Sequence, residues 1–142
     1  MPKMIGKEYE EVCRQNILKT AQQILDEAID IGDGCSLLYK ALAVSEIYRE
    51  KISQEDYFFL LGLDDDIEMF PKGKAREIYS TEALKKFDEE EKELLAFHKA
   101  NIIKTCKNIL SSEIPNMGPP EDLYAWPSDE QLRIWNNKID QK

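Results

Sequence analysis

The stretch STEALKKFDEEEKELLAFHKANIIKTCKNILSS, residues 80–112, decides the fold. Within it Leu84, Phe87, Leu94, Leu95, His98, Ile102, Cys106, Ile109 and Leu110 recur at spacings of three, four and seven, the period of a helix with one apolar side. Ser80 or Thr81 supplies a capping hydroxyl at its start. Lys85, Lys86 and the charged run from Asp88 to Glu93 form a solvated outer face. On that face Lys86 with Glu90 and Asp88 with Lys92 stand four apart, a spacing that supports an exposed helix weakly. So long an amphipathic helix draws its stability from packing, and the rest of the chain must cover its apolar side.

The covering elements lie upstream. Tyr9, Cys13, Ile17, Ala21, Ile24, Leu25 and Ala28 predict a first helix from about Lys7 to Ala28. Ile29-Asp30-Ile31-Gly32-Asp33-Gly34 reads as a turn, because glycine and aspartate tolerate left-handed backbone. The stripe Leu37, Leu38, Ala41, Leu42, Ser45 and Tyr48, widened by Val44, predicts a second helix ending near Glu50 or Lys51 and antiparallel to the first. Ser53-Gln54-Glu55-Asp56 resembles a helix cap and opens a short third helix to about Gly62, although Tyr57 to Leu61 also fits a buried strand. From Leu63 to Gly73 the residues Asp64, Asp65, Asp66, Glu68, Pro71 and Gly73 predict a loop, since like charges and breakers disfavour a regular element.

Downstream, Ile114-Pro115-Asn116-Met117-Gly118-Pro119-Pro120 must end the long helix. Tyr124 and Trp126 follow in an extended segment, and the capping box Ser128-Asp129-Glu130-Gln131 opens a last helix with Leu132, Trp135 and Ile139 on one side. The expected fold is mainly α, a single-domain helical bundle with an acidic loop at one end. Residues 1–113 form the helical core domain, and residues 114–142 form a proline-rich turn and C-terminal helical arm packing on the core, anchored by Trp126 and Trp135.

The chain of 142 residues suits one domain and carries 28 acidic against 19 basic residues, a net charge of -9. The excess is local: residues 21–70 hold 12 acidic and 3 basic groups, while the segments on either side are close to balance. Such a surface repels phosphate backbones, so nucleic acid is not the expected partner, and a basic protein is the natural complement. No uncharged stretch exceeds seven residues, far short of the roughly 20 needed to span a bilayer, so no membrane association is expected. The start MPKMIGKEYEE turns acidic where a secretory signal needs apolar residues, which makes the expected compartment cytoplasmic.

Reaction machinery is sparse. Cys13, Cys35 and Cys106 are odd in number and far apart, forming neither a disulfide framework nor a zinc motif, and Cys13 and Cys106 fall on helix stripes as small apolar residues. The single histidine, His98, sits among apolar positions with no Glu-x-x-His around it. Neither Gly32-Asp33-Gly34 nor Lys72-Gly73-Lys74 completes a phosphate-binding pattern. The run Asp64-Asp65-Asp66-Ile67-Glu68 offers oxygens to a hard cation, but an EF-hand starting at Asp64 would need Gly and Glu where Met69 and Ala75 stand. Arg76, in the basic turn that follows, is expected to pair with Asp64, Asp65, Asp66 or Glu68 through its planar fork.

At this segment the chain resembles a small uncharacterised bacterial family. Its members carry Ile-Asp-Ser-Glu-Thr-Asp-His-Leu-Pro-x-Gly-x-x-Arg-x-x-Trp followed by an Ala-Leu-x-x-x-Asp helix. The matching residues are Asp64, Pro71, Gly73, Arg76, Ala83, Leu84 and Asp88, with Asp66, Glu68 and Tyr79 as near matches. The family histidine is replaced by Met69, so any chemistry resting on it is absent here. Small acidic proteins of this kind look like the immunity partners of bacterial toxins.

The sequence therefore predicts a non-catalytic protein-binding domain of immunity type. It would present the surface of residues 46–70 to a basic partner through Asp64, Asp65, Asp66, Glu68 and Arg76, with no catalytic residue, metal or cofactor assigned. Two alternatives stand beside it: a metal-dependent hydrolase using Asp64, Asp66 and Glu68, and a helical homodimer with a structural role.

Overall fold

Two helices threaded by the long apolar stripe set the frame, and the computed structural model describes residues 7–117 of the chain. Its elements are α1 (Lys7–Leu25), α2 (Ile31–Ala43), a single turn α3 (Glu46–Arg49), α4 (Gln54–Glu68) and α5 (Thr81–Ser111), with 3-10 turns at Gly73–Ile78 and Ile114–Asn116. The architecture is mainly α, with no strand among the described residues, and Tyr57 to Leu61 is helical. No described helix is long and apolar enough to cross a membrane. The expected arm beyond Met117, with Trp126 and Trp135, lies outside the described residues.

Helix α1 packs against α2 and α5, and α2 packs against α4. Gly34 meets Ile24 at the turn between α1 and α2, while Ser45, just past the other end of α2, donates a 2.5 Å hydrogen bond to Glu10 Oε2. The two helices are therefore antiparallel. Arg14 fixes α1 to the far end of α5: Nε donates to Ile114 O at 3.0 Å, one Nη to Pro115 O at 2.9 Å, and the other to Glu11 Oε1 at 2.8 Å. The core between these helices contains Ile17, Leu38, Leu42, Leu60, Ile102 and Ile109, all fully buried, together with Tyr48 and Cys106. Burial of each large aliphatic side chain is worth roughly 1.5–3 kcal/mol, so this contiguous stripe outweighs local preferences where the two conflict.

Two local expectations are overturned by that packing. The segment from Gly32 to Gly34 is not a turn but the opening of α2, capped by Asp30, whose side chain accepts from Asp33 N at 3.0 Å. The left-handed residue that ends α1 is Glu27 at φ 56, followed by a 2.9 Å bond from Ala28 N to Gln23 O. Gly34 instead serves close approach: a Cβ there would lie 2.7 Å from Ile24 Cγ1. The second overturned expectation is the acidic loop. Helix α4 does not stop near Gly62 but continues to Glu68, because Asp56, Leu60, Leu63, Asp64 and Ile67 keep a buried stripe at helical spacing.

Candidate functional site

Helix α4 starts from a formed cap: Ser53 Oγ accepts from Asp56 N at 3.1 Å. The carboxylate of Asp56 then turns inward, accepting from Asn108 Nδ2 at 3.1 Å and Thr105 Oγ1 at 3.4 Å, so that α4 is held to α5 by a satisfied polar contact. Helical rotation of about 100° per residue splits the acidic run between two sides. Asp64 is only 4% exposed on the inner side, and its Oδ1 has no hydrogen-bond partner among the described residues. Asp65, Asp66 and Glu68 are exposed.

The same rotation places Glu55, Phe58, Gly62, Asp65, Asp66 and Met69 along the outer face. Phe58 is 59% exposed and Met69 is 79% exposed, while the space around Gly62 is open. Two apolar side chains thus flank a bare backbone patch within a rim of carboxylates. No described lysine or arginine comes within 4 Å of any of these carboxylates; the ion pairs that form lie elsewhere. The last turn of α4 also lacks any basic residue. Carboxylates there sit at the negative end of the helix dipole, where each is disfavoured by about 0.3–1 kcal/mol.

Arg76 departs from expectation. It turns away from the acidic run and grips Asp88 on α5 with two bonds, of 2.8 and 2.9 Å. This pairing raises the Arg76 pKa and holds the Asp88 carboxyl below its ordinary value. Lys72 also grips α5, its Nζ lying 2.6 Å from both carboxylate oxygens of Glu91. Gly73 adopts φ +54, a conformation that suits glycine, and Pro71 is buried. Pro71, Gly73, Arg76 and Asp88 therefore assemble into a clasp between the end of α4 and the start of α5. That clasp is a structural unit and leaves the acids of α4 free of it.

The predicted site residues are accordingly not one constellation. Asp65 and Asp66 lie on the outer face, Glu68 is exposed about 200° around the helix from Asp66, Asp64 is buried, and Arg76 belongs to the clasp. The ligand set of the hydrolase alternative divides in the same way, since Asp64 and Asp66 lie about 200° apart around the helix. Among the described residues no three Asp, Glu, His or Cys side chains converge where a metal ion could be held. All three cysteines are buried, and burial pushes the thiols of Cys35 and Cys106 up to about 12, which keeps them protonated and unreactive at neutral pH. His98 packs edge-on against Phe97 and near Phe59, with ring centroids 4.9 and 5.7 Å away.

Phe58 and Met69 are the members of this face that sequence reasoning missed. Once α4 is continued to residue 69, the eleven-residue interval between them is three helical turns, and both fall opposite the Leu60, Leu63 and Ile67 stripe. Comparison with protein-family models, with curated proteins and with solved structures returns no match to this chain.

Proposed function

We propose that this chain is a non-catalytic protein-binding domain, of the immunity type, that receives a basic partner on the outer face of α4. The observation that carries the reading is the combination on one helix face of Phe58 and Met69 exposed around Gly62, with Asp65 and Asp66 unpaired beside them among the described residues and Glu68, also unpaired, at the flank of that face. Apolar anchors inside a charged rim are the usual anatomy of a protein interface. The carboxylates at the dipole's negative end add a driving force, because a cationic partner relieves an unfavourable local field on binding.

The test compares the native chain with a D65K/D66K double variant as immobilised bait, followed by titration of each captured protein after purification. The expected result is a basic partner whose affinity falls with salt and drops more than tenfold for the double variant, as screened and reversed rim charges require. Phe58→Ala should weaken the same complex without changing its salt dependence. A partner bound equally well by the double variant, or binding indifferent to salt, would falsify the proposal.

A further inference from the structure

A second feature lies on another side of the molecule. Between the C-terminal end of α1, the turn into α2 and the middle of α5 runs a half-open groove of about 680 Å³. Its floor and walls are apolar, formed by Ile24, Leu25, Ile29, Leu95 and Ile103, with the small side chain of Ala96 between them. Ligand sites of this size are commonly apolar slots with a few placed charges.

The charges on its rim divide unevenly in what remains available. Glu91 is paired with Lys72 at 2.6 Å and Asp88 with Arg76 at 2.8 Å, while Asp30 caps α2 through the amide of Asp33 at 3.0 Å and keeps its negative charge at the α2 end of the groove. Glu27 stands outward, 3.7 Å from Lys99. Lys92 and Lys107, which also line the groove, have no carboxylate within 4 Å among the described residues. The two are not equivalent. Lys92 sits in the acidic run from Asp88 to Glu93, whereas α5 from Leu94 to Ser111 carries Lys99, Lys104 and Lys107 and no acidic residue. One end of the slot is therefore cationic and its length is greasy.

We propose that this groove binds an unbranched aliphatic carboxylate, its head at the Lys107 end and its chain along Ile103, Ala96 and Leu95. Burial of one methylene is worth up to about fourfold in affinity, so a half-open slot should yield two- to fourfold per methylene added. This inference is independent of the α4 surface and stands whether or not that surface binds a protein.

The experiment is calorimetric titration of the full chain with octanoate, decanoate and dodecanoate below their micelle-forming concentrations, with dodecanol and dodecyltrimethylammonium as head-group controls. Expected are one site, the stated rise per methylene, and at least tenfold preference for dodecanoate over both controls. Lys107→Glu should remove that preference, and Ala96→Trp, which fills the slot from a solvent-exposed position, should abolish uptake with helical content and melting midpoint retained. Should Ala96→Trp disturb the fold, Lys107→Glu still decides the matter. Affinity independent of chain length, or equal binding of the alcohol or the cation, overturns the proposal. So does failure of the full chain to take up any of the acids, as when residues 118–142 or a second copy of the chain already fill the groove.

Discussion

A methyl group added at Gly34 and the same group added at Gly62 should change stability in opposite directions. Both glycines lie within helices, at ordinary negative φ, so each change to alanine removes the flexibility penalty of glycine, about 1 kcal/mol in a helix interior. At Gly62 nothing lies within 4 Å of the new atom, and the gain of about 1 kcal/mol should appear undiminished. At Gly34 the new atom would stand 2.7 Å from Ile24 Cγ1, 3.1 Å from its Cδ1 and 3.3 Å from Ile29 Cγ2. Cγ1 of a β-branched side chain is stiffly placed, so α1 and α2 must separate, and overpacking of this kind costs up to about 3 kcal/mol. Net destabilisation of about 2 kcal/mol should result for Gly34→Ala, leaving the two variants about 3 kcal/mol apart, or roughly 10 °C in midpoint for a domain of this size. Denaturant and thermal unfolding followed by helical circular dichroism measure both. A Gly34→Ala protein as stable as the parent refutes the close approach of α1 and α2, and a destabilised Gly62→Ala refutes the open helical setting of that residue.

Arg14→Ala should cost about 2–3 kcal/mol, because it strips charge-assisted donors from Ile114 O and Pro115 O; Arg14→Lys should recover less than half, since one ammonium cannot span both carbonyls and Glu11, and urea midpoints read both. The Cys35 and Cys106 thiols, raised from 9.0 to about 12, bind protons more tightly in the fold than in the unfolded chain. Their contribution is thus complete below about pH 9 and is lost as pH rises towards 12. At pH 10 the loss should be on the order of 1 kcal/mol per thiol, and a Cys35→Ala/Cys106→Ala protein should show a shallower decline between pH 9 and 10 than the parent. D65K/D66K should stabilise the free protein while weakening its complex, since lysine suits the C-terminal end of α4; a stability gain of about 1–2 kcal/mol at low salt, fading as salt is added, is the expected reading, and a loss of stability would show that the dipole argument is wrong.

Elements with a long apolar period were readable in the sequence, and those set by contacts between distant residues were not. Helix α5 was legible because its stripe from Leu84 to Leu110 persists over many turns, and α1 for the same reason. The break between α2 and α3 was invisible, since Ser45 and Tyr48 remain buried on the continued stripe, and the hydroxyl of Ser45 is committed to Glu10, 35 residues away. The turn after α1 was misplaced because Glu27, which adopts the left-handed conformation, is not a residue type that announces it, while Gly32 and Gly34, which do, are used for packing. Local rules favour a loop for the acidic run, since like charges and nearby breakers disfavour a helix. What local reasoning lacked was the worth of burying Leu60, Leu63 and Ile67 together, which exceeds the dipole and repulsion penalties of the neighbouring carboxylates. Once α4 is helical it carries those acids away from Arg76, whose partner becomes Asp88.

Asp65, Asp66 and Glu68 have no hydrogen-bonding or ionic side-chain partner among the described residues, whereas several carboxylates elsewhere do. Glu10 has Ser45, Asp56 has Asn108 and Thr105, Asp88 has Arg76, Glu91 has Lys72, and Glu113 has Lys51 at 3.2 Å. If the surface charge of α4 served solubility alone, the outer face of α5 shows what such a surface looks like: Lys85, Lys86 and Lys92 are interspersed among its acids. Helix α4 has no lysine or arginine at all and concentrates its acids at the end where the dipole opposes them. Solubility also gives no reason to leave Phe58 and Met69 in water on that face. Phe97 at 82% and Ile78 at 80% are exposed as well, so apolar exposure alone does not single out α4; what does is that Phe58 and Met69 share their face with acids on a helix that has no lysine or arginine. Contact with a cationic surface bearing an apolar recess would answer both features at once, which is why α4, rather than the clasp or the buried thiols, is the face we propose for a partner.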